Sequence, residues 1–143
     1  LVGGGGTKLQ PAYVGDVATA VADAVDGKTK TGTVYELGGP EVLSMREIMQ
    51  IILRVIERER MLMPLPFGLA RFQSMFLQFA PGALKLTPDQ VELLKADNVV
   101  SDAAKANGLT LEGLGITPDS MEAVVPQYLW RFRKTGQFAP KGA

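Results

Sequence analysis

The sequence predicts an α/β chain in which helix predominates, with a few short strands and five to seven helices, and three observations carry that reading. Two short apolar runs, Leu9 to Val14 and Thr33 to Leu37, each lead into a helix start. Ser44 stands three residues before Glu47, the spacing of a capping box. Thr-Pro-Asp occurs twice, at Thr87 and Thr117, placing a cap, a proline that needs no N–H, and an acid at the positive end of a helix dipole.

In chain order, Leu9 to Val14 reads as a strand entering a helix capped by Asp16. That helix, rich in alanine and valine, stops at Asp26-Gly27, where glycine suits a left-handed closing residue. Such a helix can lie close to a sheet. Thr33 to Leu37 is a second strand, followed by the turn Gly38-Gly39-Pro40. The next helix starts at Met45, repeats its apolar positions at Ile48, Ile52, Val55 and Ile56, and runs to about Glu59. Met61 to Met63 is a third strand candidate.

Pro64 and Pro66 open a helical segment, Phe67 to Ala80, in which Leu69, Phe72, Phe76 and Phe79 share one face, opposite Arg71, Ser74 and Gln78; Pro81-Gly82 ends it. Core packing is the first reading of that face. The other is a surface for a partner or a membrane across residues 65–80, because Leu65, Phe67, Met75 and Leu77 lie off the main stripe. Further helices are expected from Pro88, over Ser101 to Asn107 with Gly108 closing it, and from Pro118 to about Lys134 with a kink at Pro126. Leu109 to Ile116 forms an apolar turn between them. Arg131, Arg133, Lys134 and Lys141 then follow with no acid to offset them, as a solvated helix end or a contact for an acidic partner or lipid head group.

The 143 residues suit one domain, and 46% hydrophobic with 21% charged is ordinary globular usage. Fifteen basic residues balance fifteen acidic ones, so no net charge favours nucleic acid. Neither cysteine nor histidine occurs, which removes disulfides, thiolate nucleophiles, Cys/His zinc sites and imidazole catalysis. No apolar run approaches the about 20 residues of a membrane span. The opening Leu1-Val2-Gly3 has no signal-peptide character, so we expect a cytoplasmic protein whose natural start lies elsewhere.

Gly3 to Gly6 precedes a strand rather than joining a strand to a helix, which makes it a turn and not a phosphate cradle. A reductase tyrosine needs a lysine four residues later, yet Tyr13 is followed there by Val17, Tyr35 by Gly39 and Tyr128 by Phe132. The acidic pairs Glu57/Glu59, Asp23/Asp26 and Asp119/Glu122 sit at helix ends or polar faces and read as structural. Trp130, among Tyr128, Leu129 and Phe132, reads as a side chain docked on the core.

Leu9-Gln10-Pro11-Ala12-Tyr13-Val14-Gly15-Asp16-Val17-Ala18 resembles the strand-to-helix passage that follows the catalytic half of extended and atypical short-chain dehydrogenases/reductases, the NAD-dependent epimerase/dehydratase-like group. Val34-Tyr35-Glu36-Leu37-Gly38-Gly39-Pro40 resembles the strand that returns to their dinucleotide-binding sheet. Leu93 to Ser101 and Tyr128 to Phe138 are similar to the branch formed by the nucleotide-binding accessory subunits of respiratory complex I, NADH:ubiquinone oxidoreductase, and their bacterial relatives.

The resemblance implies that residues 1–143 are the carboxy-terminal, substrate-side portion of a Rossmann-type protein that binds NADP(H) or NAD(H) through an amino-terminal part absent here. It implies a structural or assembly role, no catalytic, cofactor or metal residue in this stretch, and Gln10, Pro11 and Tyr13 as substrate-pocket candidates. The strand around Tyr35 would lack its sheet neighbours, so a homodimer or higher oligomer is expected. Complex I subunits are the implied partners of the parent, and the cytoplasmic membrane face its implied peripheral location. The alternatives are the substrate-binding part of a sugar-nucleotide epimerase, dehydratase or reductase, and a free-standing interaction module.

Overall fold

The computed structural model describes residues 1–77, 87–134 and 136. Among them helix predominates, with one two-stranded antiparallel sheet. Strand β1 (Lys8–Leu9) pairs with β2 (Leu43–Ser44) in the register Lys8 to Ser44 and Leu9 to Leu43. The helices are α1 (Val14–Val25), α2 (Met45–Val55), α3 (Phe67–Leu77), α4 (Pro88–Leu93), α5 (Asp102–Ala106), α6 (Met121–Val124) and α7 (Pro126–Leu129). Ile48 and Ile51 of α2, Val91 of α4, Ala104 of α5, Leu111 and Val125 are buried and form the core with Ala20, Ala70 and Val100.

Helix ends follow the sequence where the cap is local. Ser44 accepts from the Glu47 amide while the Glu47 carboxylate accepts from the Ser44 amide at 2.7 Å, completing the capping box of α2. Thr87 and Gln90 form a second such box on α4, and Ser101 caps α5. Gly27 and Gly108, at φ 74° and 64°, close α1 and α5. In α1 the Gly27 amide donates to Ala24 and the Lys28 amide to Asp23, which satisfies two terminal carbonyls. The kink expected at Pro126 is the α6–α7 junction.

Other expectations need correction. The strand expected over Leu9 to Val14 is only Lys8–Leu9, because helix α1 begins at Val14. Asp16 lies in the first turn of α1 and is not its cap; Tyr13 holds that position without a side-chain bond. Residues 33–37 form no strand among the described residues. The Glu36 amide donates to the Leu109 carbonyl at 2.9 Å, but no ladder follows. Met61 to Met63 is likewise not a strand.

Helix α2 stops at Val55 rather than near Glu59. Glu57 adopts φ 54°, and the amides of Glu57 and Arg58 turn back onto the carbonyls of Arg54 and Leu53. This is the closure made by Gly27 in α1, here with a glutamate in the left-handed position. The helix expected from Pro118 begins at Met121 instead, with Ser120 as its cap. The Asp119 amide is held by Asp16 and the Ser120 hydroxyl accepts from Ala123, so the first turn forms three residues later.

Two helices turn the opposite face inward from the one their composition suggests. Of α3, Ala70 and Ser74 are buried while Leu69, Phe72 and Phe76 are exposed, so the face first read as core faces water. The α3 helix packs on α4 through its small residues. Of α1, the buried residues are Asp16 and Ala20, whereas Val14, Val21 and Val25 are 74%, 57% and 83% exposed. Phe79 and the Pro81-Gly82 stop lie outside the described residues.

Candidate functional site

The passage from β1 into α1 is held on both sides. Antiparallel β2 flanks β1, and the extended chain at Asn98 flanks it again: the Asn98 amide donates to Lys8 and the Gln10 amide to Asn98. Gln10 then fastens three segments. Its Nε2 donates to the Gly39 carbonyl at 2.7 Å and its Oε1 accepts from the Val100 amide at 2.9 Å. Both ends of the amide are therefore committed.

The turn at Gly38-Gly39 passes so close that side chains would not fit. A Cβ on Gly38 would come within 2.6 Å of the Gln10 Cδ, and one on Gly39 would overlap the Pro11 carbonyl oxygen. The two glycines thus explain how the chain packs over Gln10 and Pro11.

Pro11 stands between two clefts. One, of about 490 Å³, lies between Pro11–Val14 and the wall made by Asp119, Met121, Val124, Val125 and Tyr128. The other, of about 500 Å³, is bordered by Gln10, Pro11, Glu36, Leu37 and Val100. Tyr13 belongs to the first, with its ring over Gly15. The structure therefore brings Pro11 and Tyr13 together in one cleft and places Gln10 in the other.

The far wall of the first cleft is fixed by Asp16, whose buried carboxylate accepts from the Asp119 amide at 2.9 Å across 103 positions of sequence. Ser120, beside it, is engaged in capping α6. Apart from the Asp119 carboxylate and the hydroxyls of Tyr13 and Tyr128, the remaining lining is apolar and suits the apolar body of a ligand. In the second cleft, Glu36 accepts from the Ser101 amide at 2.7 Å and from the Ser101 hydroxyl at 2.9 Å. These bonds, the amide first and the hydroxyl second, hold the Glu36 carboxyl below the usual carboxylate range. An ionised carboxylate anchored in this way positions α5 and is poorly suited to be a general acid.

Gly3–Gly5 form a 3-10 turn with φ of 59°, 73° and 74°. Their amides donate to Leu65, Leu1 and Val2, and the Gly4 carbonyl accepts from Arg46. A phosphate cradle needs such amides free, so these residues do not fit a dinucleotide. Among the described residues no cluster of three acidic, histidine or cysteine side chains could hold a metal ion.

Sequence reasoning missed Asp119, Met121 and Tyr128 as partners of Pro11 and Tyr13, and missed the anchoring role of Glu36. No local pattern joins positions more than one hundred residues apart. The available signal was Asp16, an acid in the first turn of a helix built mainly of alanine and valine.

No protein-family model matches the chain. The chain is 33% identical over 145 aligned residues to NADH dehydrogenase (ubiquinone) 1 alpha subcomplex subunit 9, mitochondrial, of Arabidopsis thaliana, covering 95% of this chain and 35% of that protein. It is 32% identical over 66 residues to cyclin-B1-2 of Oryza sativa subsp. japonica, covering 46% of this chain and 17% of that one. The chain thus spans about a third of the first relative's length.

Proposed function

We propose that this chain is the carboxy-terminal, substrate-side portion of a short-chain-dehydrogenase-like accessory subunit of NADH:ubiquinone oxidoreductase, with a structural or assembly role and no catalysis of its own. The carrying observation is the similarity to the plant subunit along 95% of the chain. The residues Leu9 to Ala18 and Val34 to Pro40 agree with it, since they resemble a family in which a helix such as α1 lies against a parallel sheet.

The exposed valine face of α1 and the unladdered segment 33–37 support the same reading. Each is a surface of the kind that a sheet would cover. In this proposal a Rossmann-type sheet from the remainder of the parent polypeptide covers α1 and binds NADP(H) or NAD(H), while Gln10, Gly38 and Gly39 lock the passage on which the pocket around Pro11 and Tyr13 is built. Without that sheet the chain pairs with a second copy. The parent is a peripheral protein on the cytoplasmic face of the membrane that holds the enzyme.

Two measurements test this. Tagged parent protein should comigrate with NADH:ubiquinone oxidoreductase on native gels, and deletion of these residues should lower the amount of assembled enzyme; migration apart from the complex defeats the assignment. NADPH titration should show binding by the complete protein and none by the 143-residue chain.

A second reading, the substrate-binding part of a sugar-nucleotide epimerase, dehydratase or reductase, draws on the cleft of about 490 Å³ that contains Pro11 and Tyr13. That volume lies within the about 300–1,000 Å³ typical of ligand pockets. Binding of a uridine diphosphate sugar to the complete protein, weakened by Tyr13→Ala, would favour it over the accessory role.

A further inference from the structure

We propose that the outward face of α3, together with the arginine-lined groove from which the chain enters it, is an in-plane docking surface for a membrane carrying anionic lipid. This inference is independent of the accessory-subunit reading.

Leu69, Phe72 and Phe76 are 55%, 61% and 65% exposed, and the rings of Phe72 and Phe76 meet edge to face with centroids 5.4 Å apart. At about 100° per residue these three side chains fall within about 60° of arc, roughly opposite buried Ala70 and Ser74. A surface helix ordinarily turns its large apolar residues inward. Here α3 packs through its small residues and presents the large ones, and Met61 and Met63 upstream are exposed as well. A row of large apolar side chains along one exposed helix face marks an interaction surface.

Charge identifies the occupant. From Arg60 to Pro88 the sequence contains Arg60, Arg71 and Lys85 and no aspartate or glutamate, although the chain as a whole is neutral; Arg71 is partly offset by Glu92 of α4, so the surplus rests on the arginines of the groove. Upstream, a groove of about 740 Å³ is lined by Arg46, Arg54, Arg58 and Arg60 with Glu59 and the exposed Met61. Arg54 pairs with Glu122 at 3.4 Å. Arg46 and Arg58 donate to backbone carbonyls and form no ion pair with a carboxylate among the described residues. Arg60 makes no ion pair among the described residues.

Exposed aromatic and aliphatic side chains a few residues downstream of an arginine-lined groove match the two requirements of a peripheral anchor on an anionic leaflet: apolar insertion and head-group attraction. The 11 residues of α3 extend only about 16 Å, against about 30 Å of hydrocarbon, so the helix lies in the interface rather than across it. No described helix is long and apolar enough to cross a membrane.

Co-sedimentation of the 143-residue chain with vesicles tests the proposal. The chain should pellet with equimolar phosphatidylglycerol and phosphatidylcholine, and far less with phosphatidylcholine alone. Combining Leu69→Gln, Phe72→Gln and Phe76→Gln should reduce binding at least about tenfold, with circular dichroism and urea midpoint unchanged because these side chains are exposed. Arg60→Gln should weaken binding to the anionic vesicles about fivefold, and added salt should narrow the difference.

A chain that stays in solution with anionic vesicles at low salt overturns the proposal, as does a triple variant that pellets like the parent. If vesicles are ignored while the triple variant separates from NADH:ubiquinone oxidoreductase on native gels, the face is a protein contact, and the membrane assignment falls while the accessory role stands.

Discussion

Asp16 shows how one side chain can determine a distant element. It lies in the first turn of α1, yet its carboxylate is spent on the Asp119 amide, 2.9 Å away on the other wall of the Tyr13 cleft. Asp16→Ala would leave that amide without an acceptor and should cost about 1–3 kcal/mol in urea unfolding, with Asp16→Asn, which keeps an acceptor oxygen, costing less. An Asp16→Ala midpoint equal to the parent's would show that the bond carries no stability. Glu36 makes a pH-dependent counterpart. Its carboxyl is held low by the Ser101 amide and hydroxyl, so the folded state binds the proton more weakly than the unfolded chain does. Its contribution is complete above the usual carboxylate range and is lost as the pH falls through the lowered value. Glu36→Gln should therefore be less stable than the parent at neutral pH, with the gap closing in acid; a gap constant with pH would count against this linkage.

Thr87 and Thr117 give a controlled comparison among the elements, since each precedes Pro-Asp but only one caps a helix. Thr87→Ala breaks a capping box and should cost about 1 kcal/mol, while Thr117→Ala should stay within about 0.5 kcal/mol of the parent. Equal losses at the two sites would contradict the helix start at Met121. The pair also shows what the sequence could reveal. Ser44 with Glu47, Ser101 with Gly108, and Gly27 were legible because each acts within a few residues. The Glu57 closure was not, because glycine is the residue that ordinarily signals a left-handed turn. Segments 9–14 and 33–37 differ from expectation for another reason: a short apolar run suits a strand, but a strand exists only when paired, and of these residues only Leu9 lies in the two-stranded sheet. In α3 the apolar residues at Leu69, Phe72 and Phe76 were correctly grouped, yet periodicity cannot state which group faces the core. Of the candidate site, Pro11 and Tyr13 came from resemblance, and the wall opposite them from the fold alone.

The molecule as a whole is defined by what α1 leaves uncovered. Val14, Val21 and Val25 lie with Ala18 within about 60° of one helix face, and Val34 is exposed on a segment that pairs with no strand among the described residues. Folding the chain on its own gains little from these side chains, so most of what they can contribute comes from burial against another surface. In the proposed parent that surface is a sheet of the same polypeptide; for the 143-residue chain, a second copy is the available substitute. Sedimentation velocity should therefore show an association that strengthens with concentration. Val21→Lys with Val25→Lys should abolish it while leaving the stability of the single chain within about 0.5 kcal/mol, because exposed positions tolerate charge. Joined to the complete protein, the same two substitutions should do the opposite, destabilising the fold by placing two ammonium groups against an apolar sheet. A clean monomer at high concentration would remove the dimer. A complete protein indifferent to both lysines would remove the sheet as well, and with it the structural support for reading α1 as half of an interface.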